Sequence, residues 1–273
     1  MSTSTKRVKR SNITLREFDI HSVADNSSCL FIGGRNTGKT TAIYNLLSAK
    51  QKSFDTAMII CPTSKVNDSF KDIVPAKFIH DNYDTKVVNE LIKRQERILT
   101  KKRSSPARYG KSITTTCLLL DDMAFDKSWM KDTNLRLMAM NGRHYDALLI
   151  VSLQYCLTMG PDLRANFQWV FLHRTNNHRE KERLHDYFAG MFKYFDEFNE
   201  LFDEITEDYG VMVIDMNSKS NKIDEIVFWF KPKPREDLNF TICASRHWEV
   251  GLNTESIQPD SGVRTFNLMG GGK

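Results

Sequence analysis

One stretch of the chain places a glycine-containing loop between a short apolar run and a helical pattern. The apolar run spans Cys29 to Ile32, and the loop after it reads G-x-x-x-x-G-K-T over Gly33 to Thr40. A strand, a loop of this type and a helix in this order are typical of a phosphate-binding loop. Gly33 and Gly38 allow the backbone to turn inward, so that successive N–H groups can surround a polyphosphate. The spacing therefore predicts nucleotide binding.

The residue types in this loop suit different parts of a nucleotide. Lys39 would reach the β- and γ-phosphates, and Thr40 would supply a hydroxyl to Mg²⁺. We expect the nucleotide contacts to come from Gly33, Gly34, Arg35, Asn36, Thr37, Gly38, Lys39, Thr40 and Thr41.

A second motif consists of four apolar residues, Cys117 to Leu120, followed by Asp121 and Asp122. It predicts a buried parallel strand that delivers two carboxylates at its C-terminal end, where ligands bind in open α/β sheets. In a phosphate-loop protein, Asp121 would hold Mg²⁺ directly or through water, and Asp122 would orient and deprotonate the attacking water. An ordinary boundary between a strand and a loop would give the same pattern, but the upstream loop favours the catalytic interpretation.

Another apolar run, Ala147 to Leu153, ends in Gln154 and is preceded by Arg143. The neutral amide of Gln154 could lie beside the γ-phosphate and respond to its loss, although polar residues are common at strand ends. The cationic Arg143 could balance charge that develops on the γ-phosphoryl group. Alternatively, Arg143 could have no catalytic role and interact only with the dipole of a helix that ends near Asn141 and Gly142.

Apolar periodicity places further elements around these motifs. The predicted strands are Thr56 to Cys61, Lys77 to His80, Asn166 to Leu172, Val211 to Met216 and Ile223 to Phe230. Three helices are predicted over Lys39 to about Ala49, Asp126 to Met140 and about Asn177 to Gly190. A fourth begins after Asp84, which caps it, and a fifth contains the regularly spaced apolar residues from Phe195 to Ile205.

The order of these elements predicts the fold class. A strand lies between the phosphate-loop strand and the Asp-Asp strand in sequence, and the strand that ends in Gln154 follows them. This order is typical of the RecA-like P-loop ATPases with an additional strand and a catalytic acid. We therefore expect an α/β fold with a mostly parallel central sheet flanked by helices, with late strands and helices appended. Because no guanine-reading N-K-x-D motif occurs, we expect ATP as the nucleotide, and a small-molecule kinase is disfavoured.

Bulk properties bound the domain organisation. With 273 residues and 40% apolar residues, the chain can bury a substantial core. Its five cysteines include no C-x-x-C pair, and its longest apolar run is too short to cross a bilayer. These features predict an intracellular protein with reduced thiols and no transmembrane segment. We expect a basic N-terminal arm or edge strand over residues 1–26, a P-loop ATPase domain over 27–250 and a flexible tail over 251–273.

One segment concentrates positive charge. Between Lys93 and Lys111 there are eight basic residues and the single acid Glu96, and the segment includes a Ser-Ser-Pro loop. A basic helix end followed by a basic loop could follow a nucleic-acid backbone, since phosphate contacts need charge and reach. An ordinary solvated surface has the same composition, so both interpretations stay open.

The motifs together resemble a known family. They read G-G-R-N-T-G-K-T, L-L-L-D-D, N-G-R-H-Y-D-A-L-L-I-V-S-L-Q and L-R-A-N-F. They are similar to the FtsK/HerA superfamily and, within it, to the poxvirus-type packaging ATPases of large double-stranded DNA viruses. The resemblance covers about Ser27 to His173. The pattern R-H-Y-x-x-x-x-I-x-S-x-Q, from Arg143 to Gln154, narrows it to this group.

The resemblance implies a homo-oligomeric ring that threads double-stranded DNA into a capsid and hydrolyses ATP at subunit interfaces. Arg143 matches the arginine presented to the neighbouring subunit's nucleotide, with Arg164 and Arg174 as further candidates, and Gln154 matches the sensor. Asp122 departs from the family pattern, because most relatives have Glu there. Capsid or inner-membrane virion proteins are the implied partners. The host cytoplasm, the viral factory or the virion is the implied location.

A different class of function is also compatible with the motifs. A nucleotide-gated assembly or switch protein would bind ATP and a capsid partner without moving DNA. Substitution of Arg143 separates the two classes, because a monomeric switch does not need a cation from a neighbour.

Overall fold

Runs of buried apolar residues form one central sheet. The structure, a computed structural model, describes residues 13–63, 68–110, 112–123, 126, 128–156 and 159–249. Within these ranges the sheet has nine strands in the spatial order β1-β9-β8-β7-β2-β6-β5-β3-β4. The strands are β1 (Arg16–Glu17), β2 (Ser28–Ile32), β3 (Thr56–Ile60), β4 (Ile79–His80), β5 (Thr116–Leu120), β6 (Ala147–Leu153), β7 (Trp169–Leu172), β8 (Val211–Asp215) and β9 (Val227–Phe230).

The centre of the sheet is parallel. Strands β4, β3, β5, β6, β2 and β7 pair in parallel, and only β8 runs antiparallel to its described neighbours β7 and β9. Every residue of β5 and β6 is buried, because parallel strands are covered by helices on both faces. Strand β6 separates the phosphate-loop strand β2 from the Asp-Asp strand β5. This inserted strand is the one that the predicted fold class requires.

Helices cover both faces of the sheet. They are α1 (Lys39–Ala49), α2 (Thr85–Ser104), α3 (Pro106–Tyr109), α4 (Thr133–Asn141), α5 (Pro161–Arg164), α6 (His178–Phe188), α7 (Phe195–Ile205), α8 (Ile223–Ile226) and α9 (Arg246–Glu249). Side chains of a strand alternate between faces, so β2 contributes to two cores. Leu30 packs in the core beneath α2, α4, α6 and α7, whereas Phe31 packs in the core beneath α1.

Local side-chain chemistry fixes where several helices begin. As predicted, Asp84 caps α2, its carboxylate accepting from the backbone N–H of Lys86. The helix predicted from Asp126 is instead a 3₁₀ turn, Ser128–Lys131, followed by α4. The two are separate because Asp132 caps α4 by accepting from the N–H groups of Asn134 and Leu135.

The late strands differ from the prediction in one place. The apolar run from Ile223 begins as the helical turn α8, and only Val227–Phe230 forms strand β9. Asp224 and Glu225 occupy the first turn of α8, where carboxylates meet the positive end of a helix dipole. Apolar composition alone could not separate the turn from the strand.

The chain before residue 27 already contributes to the core. Strand β1 pairs with β9 at the sheet edge, and the side chains of Phe18 and Val23 are buried. The part of the predicted arm over residues 13–26 therefore packs as an edge strand and its connection. Residues 1–12 and the predicted tail over 251–273 lie outside the described residues. In the part of the chain that the structure describes, every helix is too short or too polar to span a membrane.

Candidate active site

The strand register brings the predicted catalytic residues to one edge of the sheet. Ile32 of β2 is level with Leu153 of β6 and Leu172 of β7, and Leu120 of β5 is level with Val151 of β6. The residues that follow these strands therefore meet at the carboxyl edge. They are Gly33, Asp121, Asp122, Gln154 and His173.

The backbone of the phosphate loop requires glycine at two positions. A Cβ atom at Gly33 would lie 2.5 Å from the Cβ of His173, so a larger residue would force the strands apart. Gly38 has φ +86°, a left-handed conformation that glycine adopts without steric cost. It precedes the first residue of α1, and its conformation turns the loop into the helix. Gly38 thus makes the kind of backbone turn that the sequence predicts, whereas Gly33 is required by its close approach to His173.

The remaining loop residues line the start of α1. The side chains of Arg35 and Asn36 are exposed, and the Thr37 hydroxyl donates to the carbonyl oxygen of Gly34 at 2.9 Å. Thr40 and Thr41 lie in the first turn of α1 and are half-buried. Their hydroxyl groups are thus carried by the helix end that carries a partial positive charge.

Lys39 folds back over the loop that precedes it. Its ammonium group donates to the carbonyl oxygens of Gly33 at 2.6 Å and Gly34 at 2.7 Å. Burial lowers the pKa of Lys39, and the charges of Asp121 and Asp122 oppose this shift. The ammonium is therefore held between the loop backbone and the two acids, where a triphosphate could replace its carbonyl partners.

Asp121 is a buried carboxyl group. Its side chain is almost fully enclosed, and burial raises its pKa, as does the nearby charge of Asp122, while Lys39 opposes the shift. The Cys61 thiol approaches its Oδ2 at 3.8 Å. A buried carboxylate of this kind gains from a cation, and oxygen ligands are the ones that Mg²⁺ prefers. Asp121 and the Thr40 hydroxyl therefore form a donor set of the right chemistry for Mg²⁺.

Asp122 and Gln154 contact each other directly. The Nε2 amide of Gln154 donates to Oδ1 of Asp122 at 2.5 Å. Asp122 has φ 52°, a left-handed conformation that is uncommon for a residue other than glycine. Such outliers persist where the surroundings fix them, and they cluster at functional sites. The structure thus pairs two side chains that the sequence assigned to separate strands.

His173 belongs to the site, although no motif predicts a role for it there. It follows β7, it is fully buried, and its Nδ1 lies 3.0 Å from the carbonyl oxygen of Thr37. Burial lowers the pKa of His173 to about 3, and Lys39 adds to the shift. The neutral ring therefore donates from Nδ1 and supports the loop from beneath. The pairing of β7 with β2 was the missing information, because it places the residue after β7 beside Gly33.

Arg143 lies far from these groups, at the opposite, amino edge of the sheet. It occupies the 3₁₀ turn Gly142–Tyr145 before β6, whereas Gln154 follows β6. Its guanidinium is exposed and donates to Oε1 of Gln168 at 3.3 Å. It lines a cavity of about 250 Å³ with Asn26 and Asn166. The structure therefore does not bring Arg143 to the nucleotide site of its own chain.

The two other candidate arginines have partners within the chain. Arg164 donates to the carbonyl oxygen of Met159 at 2.7 Å and lies 3.8 Å from the ring centroid of Tyr187. Arg174 donates to the carbonyl oxygen of Asp203 and lies beside the phosphate loop of its own chain. Arg143 and Arg174 are exposed, whereas Arg164 is half-buried. The hydrogen bond of Arg143, at 3.3 Å, is the longest of the three.

The basic segment also lies at the amino edge. Gln95 in α2 donates to the carbonyl oxygens of Thr114 and Tyr145, which fixes the second half of α2 beside the turn that carries Arg143. Arg94 is paired with the buried Asp55 and is thus not available to an external partner. Exposed cations farther along are Arg97, Lys101, Arg103 and Arg108. Lys111 lies outside the described residues.

Comparison with known proteins gives relatives in large viruses. No protein-family model matches the chain. The chain is 30% identical over 223 residues to an uncharacterized protein of Acanthamoeba polyphaga mimivirus, covering 81% of this chain and 78% of the relative. It is 31% identical over 205 residues to an uncharacterized protein of invertebrate iridescent virus 3, covering 75% of each chain.

Solved structures share the fold. The genome packaging NTPase of Sulfolobus turreted icosahedral virus 2, in complex with AMPPCP, matches with a TM-score of 0.51 and 18% identity, covering 77% of this chain and 100% of that chain. The conjugation coupling protein TcpA of pCW3, with ATPγS, matches with a TM-score of 0.58 and 10% identity, covering 84% of this chain and 66% of that chain. These likenesses confirm the predicted P-loop ATPase fold.

Proposed function

We propose that this chain, which belongs to the family of viral proteins that includes these mimivirus and iridescent virus relatives, is an ATP-driven translocase of double-stranded DNA. In this proposal it assembles as an oligomeric ring and packages the viral genome into a capsid. The likeness to a viral genome packaging NTPase supports the proposal at the level of the fold. The single observation that carries it is the cluster of Lys39, Asp121, Asp122 and Gln154 at the carboxyl edge.

The carboxyl edge suits ATP hydrolysis. The N–H groups of the phosphate loop and the Lys39 ammonium would bind the β- and γ-phosphates. Thr40 and Asp121 would hold Mg²⁺, which supplies charge neutralisation on the phosphates when it is bound. The contact of Gln154 with Asp122 is already made without a nucleotide, whereas the Lys39 ammonium would exchange its bonds to the loop carbonyls for bonds to phosphate.

Asp122 is the proposed general base. Its carboxylate would accept a proton from the attacking water, while the Gln154 amide holds Oδ1 and leaves the other oxygen for the water. The Asp122 side chain is one methylene shorter than Glu. The left-handed backbone at Asp122 alters where its carboxylate lies relative to the strand end. Gln154 would respond to loss of the γ-phosphate through this same contact.

The amino edge suits contacts with other chains. Arg143 is exposed and remote from its own nucleotide site, as expected of a cation that completes the site of a neighbouring subunit. The exposed cations of α2 and α3 lie at the same edge and would contact the DNA backbone. We further propose that capsid or inner-membrane virion proteins are partners, and that the protein acts in the host cytoplasm, the viral factory or the virion.

The test is ATP turnover by the purified chain, measured while double-stranded DNA and protein concentration are varied separately. The proposal predicts slow basal turnover that rises with DNA and with concentration as rings form. Particle mass, measured with and without an ATP analogue and DNA, reports assembly in the same samples. Unchanged turnover in both titrations would instead favour a nucleotide-gated switch that moves no DNA.

A further inference from the structure

The proposed nucleotide site has a second side that the catalytic residues leave free. Strand β2 lies between β6 and β7, and the two acids and Gln154 all lie on the β6 side. A triphosphate with its γ-phosphate beside these acids must extend its ribose and base away from them. The base end of the nucleotide therefore lies toward the segments that follow β7 and precede β8.

A cavity of about 280 Å³ lies on that side, directly beside the phosphate loop. Its walls come from three segments: loop residues 36 and 37, residues 174–176 after β7, and residues 206–209 between α7 and β8. Most of the side chains in these walls are polar, but one is aromatic. The cavity thus offers a large apolar ring among hydrogen-bonding groups, as a nucleobase site does.

The aromatic side chain is Tyr209, and it contacts the phosphate loop. A Cβ atom built on Gly38 would lie 3.5 Å from Cδ1 of Tyr209, which places the ring against the loop backbone. Yet 63% of Tyr209 is exposed to solvent. Because the ring lies against the phosphate loop and is still largely exposed to solvent, one of its faces is free to stack on another ring.

The backbone fixes Tyr209 in this position. Asp208 and Tyr209 both have positive φ, 48° and 61°, which is rare for a bulky residue. Lys231, which follows β9, pairs with Asp208, its ammonium lying 2.6 Å from Oδ2. On the other side, a Cβ at Gly210 would lie 1.9 Å from the carbonyl oxygen of Ile205, so only glycine fits. These constraints orient the ring before any ligand binds.

We propose that Tyr209 is the stacking platform for the nucleobase of the bound nucleotide. This inference rests on the proposed function, since it needs a nucleotide in the phosphate loop. The ring face would stack on a purine, while the hydroxyl and amide groups of Thr175, Asn176 and Thr206 border the same cavity. Tyr209 thereby distinguishes a nucleotide from a bare polyphosphate.

The test compares two ligands that differ in whether they carry a base. Calorimetric affinities for a non-hydrolysable ATP analogue and for inorganic triphosphate are measured for the wild-type chain and for Tyr209→Ala. We expect about ten-fold weaker binding of the ATP analogue, a typical loss for one stacked base, with binding of triphosphate unchanged. Tyr209→Phe, which keeps the ring, should bind both ligands as the wild type does.

Two further variants guard the interpretation. Tyr209→Leu keeps apolar bulk against Gly38 but has no aromatic face, so it should lose affinity for the ATP analogue as Tyr209→Ala does. If the alanine variant does not fold, the leucine variant replaces it in the comparison. Tyr194→Ala removes another exposed tyrosine, at the opposite end of α7, and should leave the affinities for both ligands unchanged.

Three results would overturn the inference. Equal loss for both ligands would mean that Tyr209 only supports the loop. No loss for either ligand would mean that the base lies elsewhere. A wild-type chain that binds triphosphate and the ATP analogue equally well would show that no base site exists. Failure of the wild type to bind either ligand would instead refute the proposed function.

Discussion

The two edges of the central sheet are built in opposite ways. At the carboxyl edge the side chains of Lys39, Asp121, Asp122 and Gln154 are buried or half-buried. Lys39 is bonded to the loop, and Gln154 is bonded to Asp122. At the amino edge Arg97, Lys101, Arg103, Arg108 and Arg143 are exposed. The first edge is organised within one chain, whereas the second offers charge to partners outside it.

This difference in burial indicates a different function for each edge. Buried polar groups that satisfy one another form a rigid site for a small ligand. Exposed cations contribute little to folding, because water and salt screen them, but they remain available to phosphates. The carboxyl edge should therefore bind the nucleotide of its own chain, and the amino edge should govern DNA binding, assembly and, through Arg143, completion of a neighbour's site.

The largest effect should come from Arg143→Ala. An arginine supplied in trans is worth about 10³-fold or more in turnover, so DNA-stimulated ATPase activity should fall by about 10³ while ATP affinity is kept. Turnover and nucleotide binding are measured on the same preparation. Arg179→Ala, which removes an exposed arginine of α6, serves as the matched control.

A mixing experiment locates the action of Arg143 between subunits. Lys39→Ala and Arg143→Ala should each be inactive alone. In a mixed ring, an intact phosphate loop of one subunit can meet an intact Arg143 of its neighbour, so activity should return in part. No recovery on mixing, in rings shown to contain both variants, would mean that Arg143 does not act in trans.

A smaller loss is expected within the carboxyl edge. Asp122→Asn keeps the shape and the contact with Gln154 but removes the general base, so kcat should fall by about 10² with ATP affinity unchanged. Single-turnover kinetics separate this loss from slow product release. Asp122→Glu should retain turnover if the longer carboxylate reaches the same water. Equal activity of Asp122→Asn and the wild type would refute the role of Asp122 as base.

The exposed cations of α2 should affect DNA binding and leave basal ATP turnover unchanged. Lys101→Ala combined with Arg103→Ala should weaken DNA affinity. The slope of log K for DNA binding against log salt concentration should become shallower by about 0.9 for each phosphate contact removed. Titrations at several salt concentrations measure both quantities. Lys131→Ala combined with Lys71→Ala removes two exposed lysines elsewhere and is the control.

The same pair of substitutions tests the ordinary interpretation of this surface. Lys101 and Arg103 lie in the last turn of α2, where cations favourably meet the helix dipole. If the double variant lowers thermal stability but leaves the salt slope unchanged, the charges serve the helix and not DNA.

The sequence predicted the carboxyl edge in large part, because its motifs are local. The loop from Gly33 to Thr40 and the acids after Leu120 each follow one strand, and the parallel arrangement then places them together. The fold class followed from the order of strands. The boundaries of α1 and β6 were predicted correctly, since each element coincides with one periodic apolar run.

The residues that the sequence missed act through long-range pairing. His173 and Tyr209 reach the loop only because β7 pairs with β2 and because residues 206–210 fold back from α7. Arg94 lies in the basic segment from Lys93 to Lys111, but the buried Asp55 pairs with it across the fold. No local pattern marks such contacts, so sequence periodicity could not find them.

The smallest predicted effect concerns His173 and tests whether the loop is supported from beneath. Burial lowers the pKa of His173 from 6.5 to about 3, so the folded chain keeps the ring neutral while the unfolded chain protonates it below pH 6.5. The unfolded state then binds more protons, and the free energy of unfolding falls as the pH drops from 6.5 toward 3.

At pH 5.5 this linkage amounts to about 1 kcal/mol, which corresponds to about 2–4 °C in Tm for a chain of this size. His173→Asn keeps a donor near the position of Nδ1 but does not titrate. Its Tm should therefore fall less between pH 7.5 and 5.5 than that of the wild type. If Tm falls by the same amount in the wild type and in His173→Asn over this pH range, His173 is not held neutral beneath the loop. The carboxyl edge is then less enclosed than its contacts indicate.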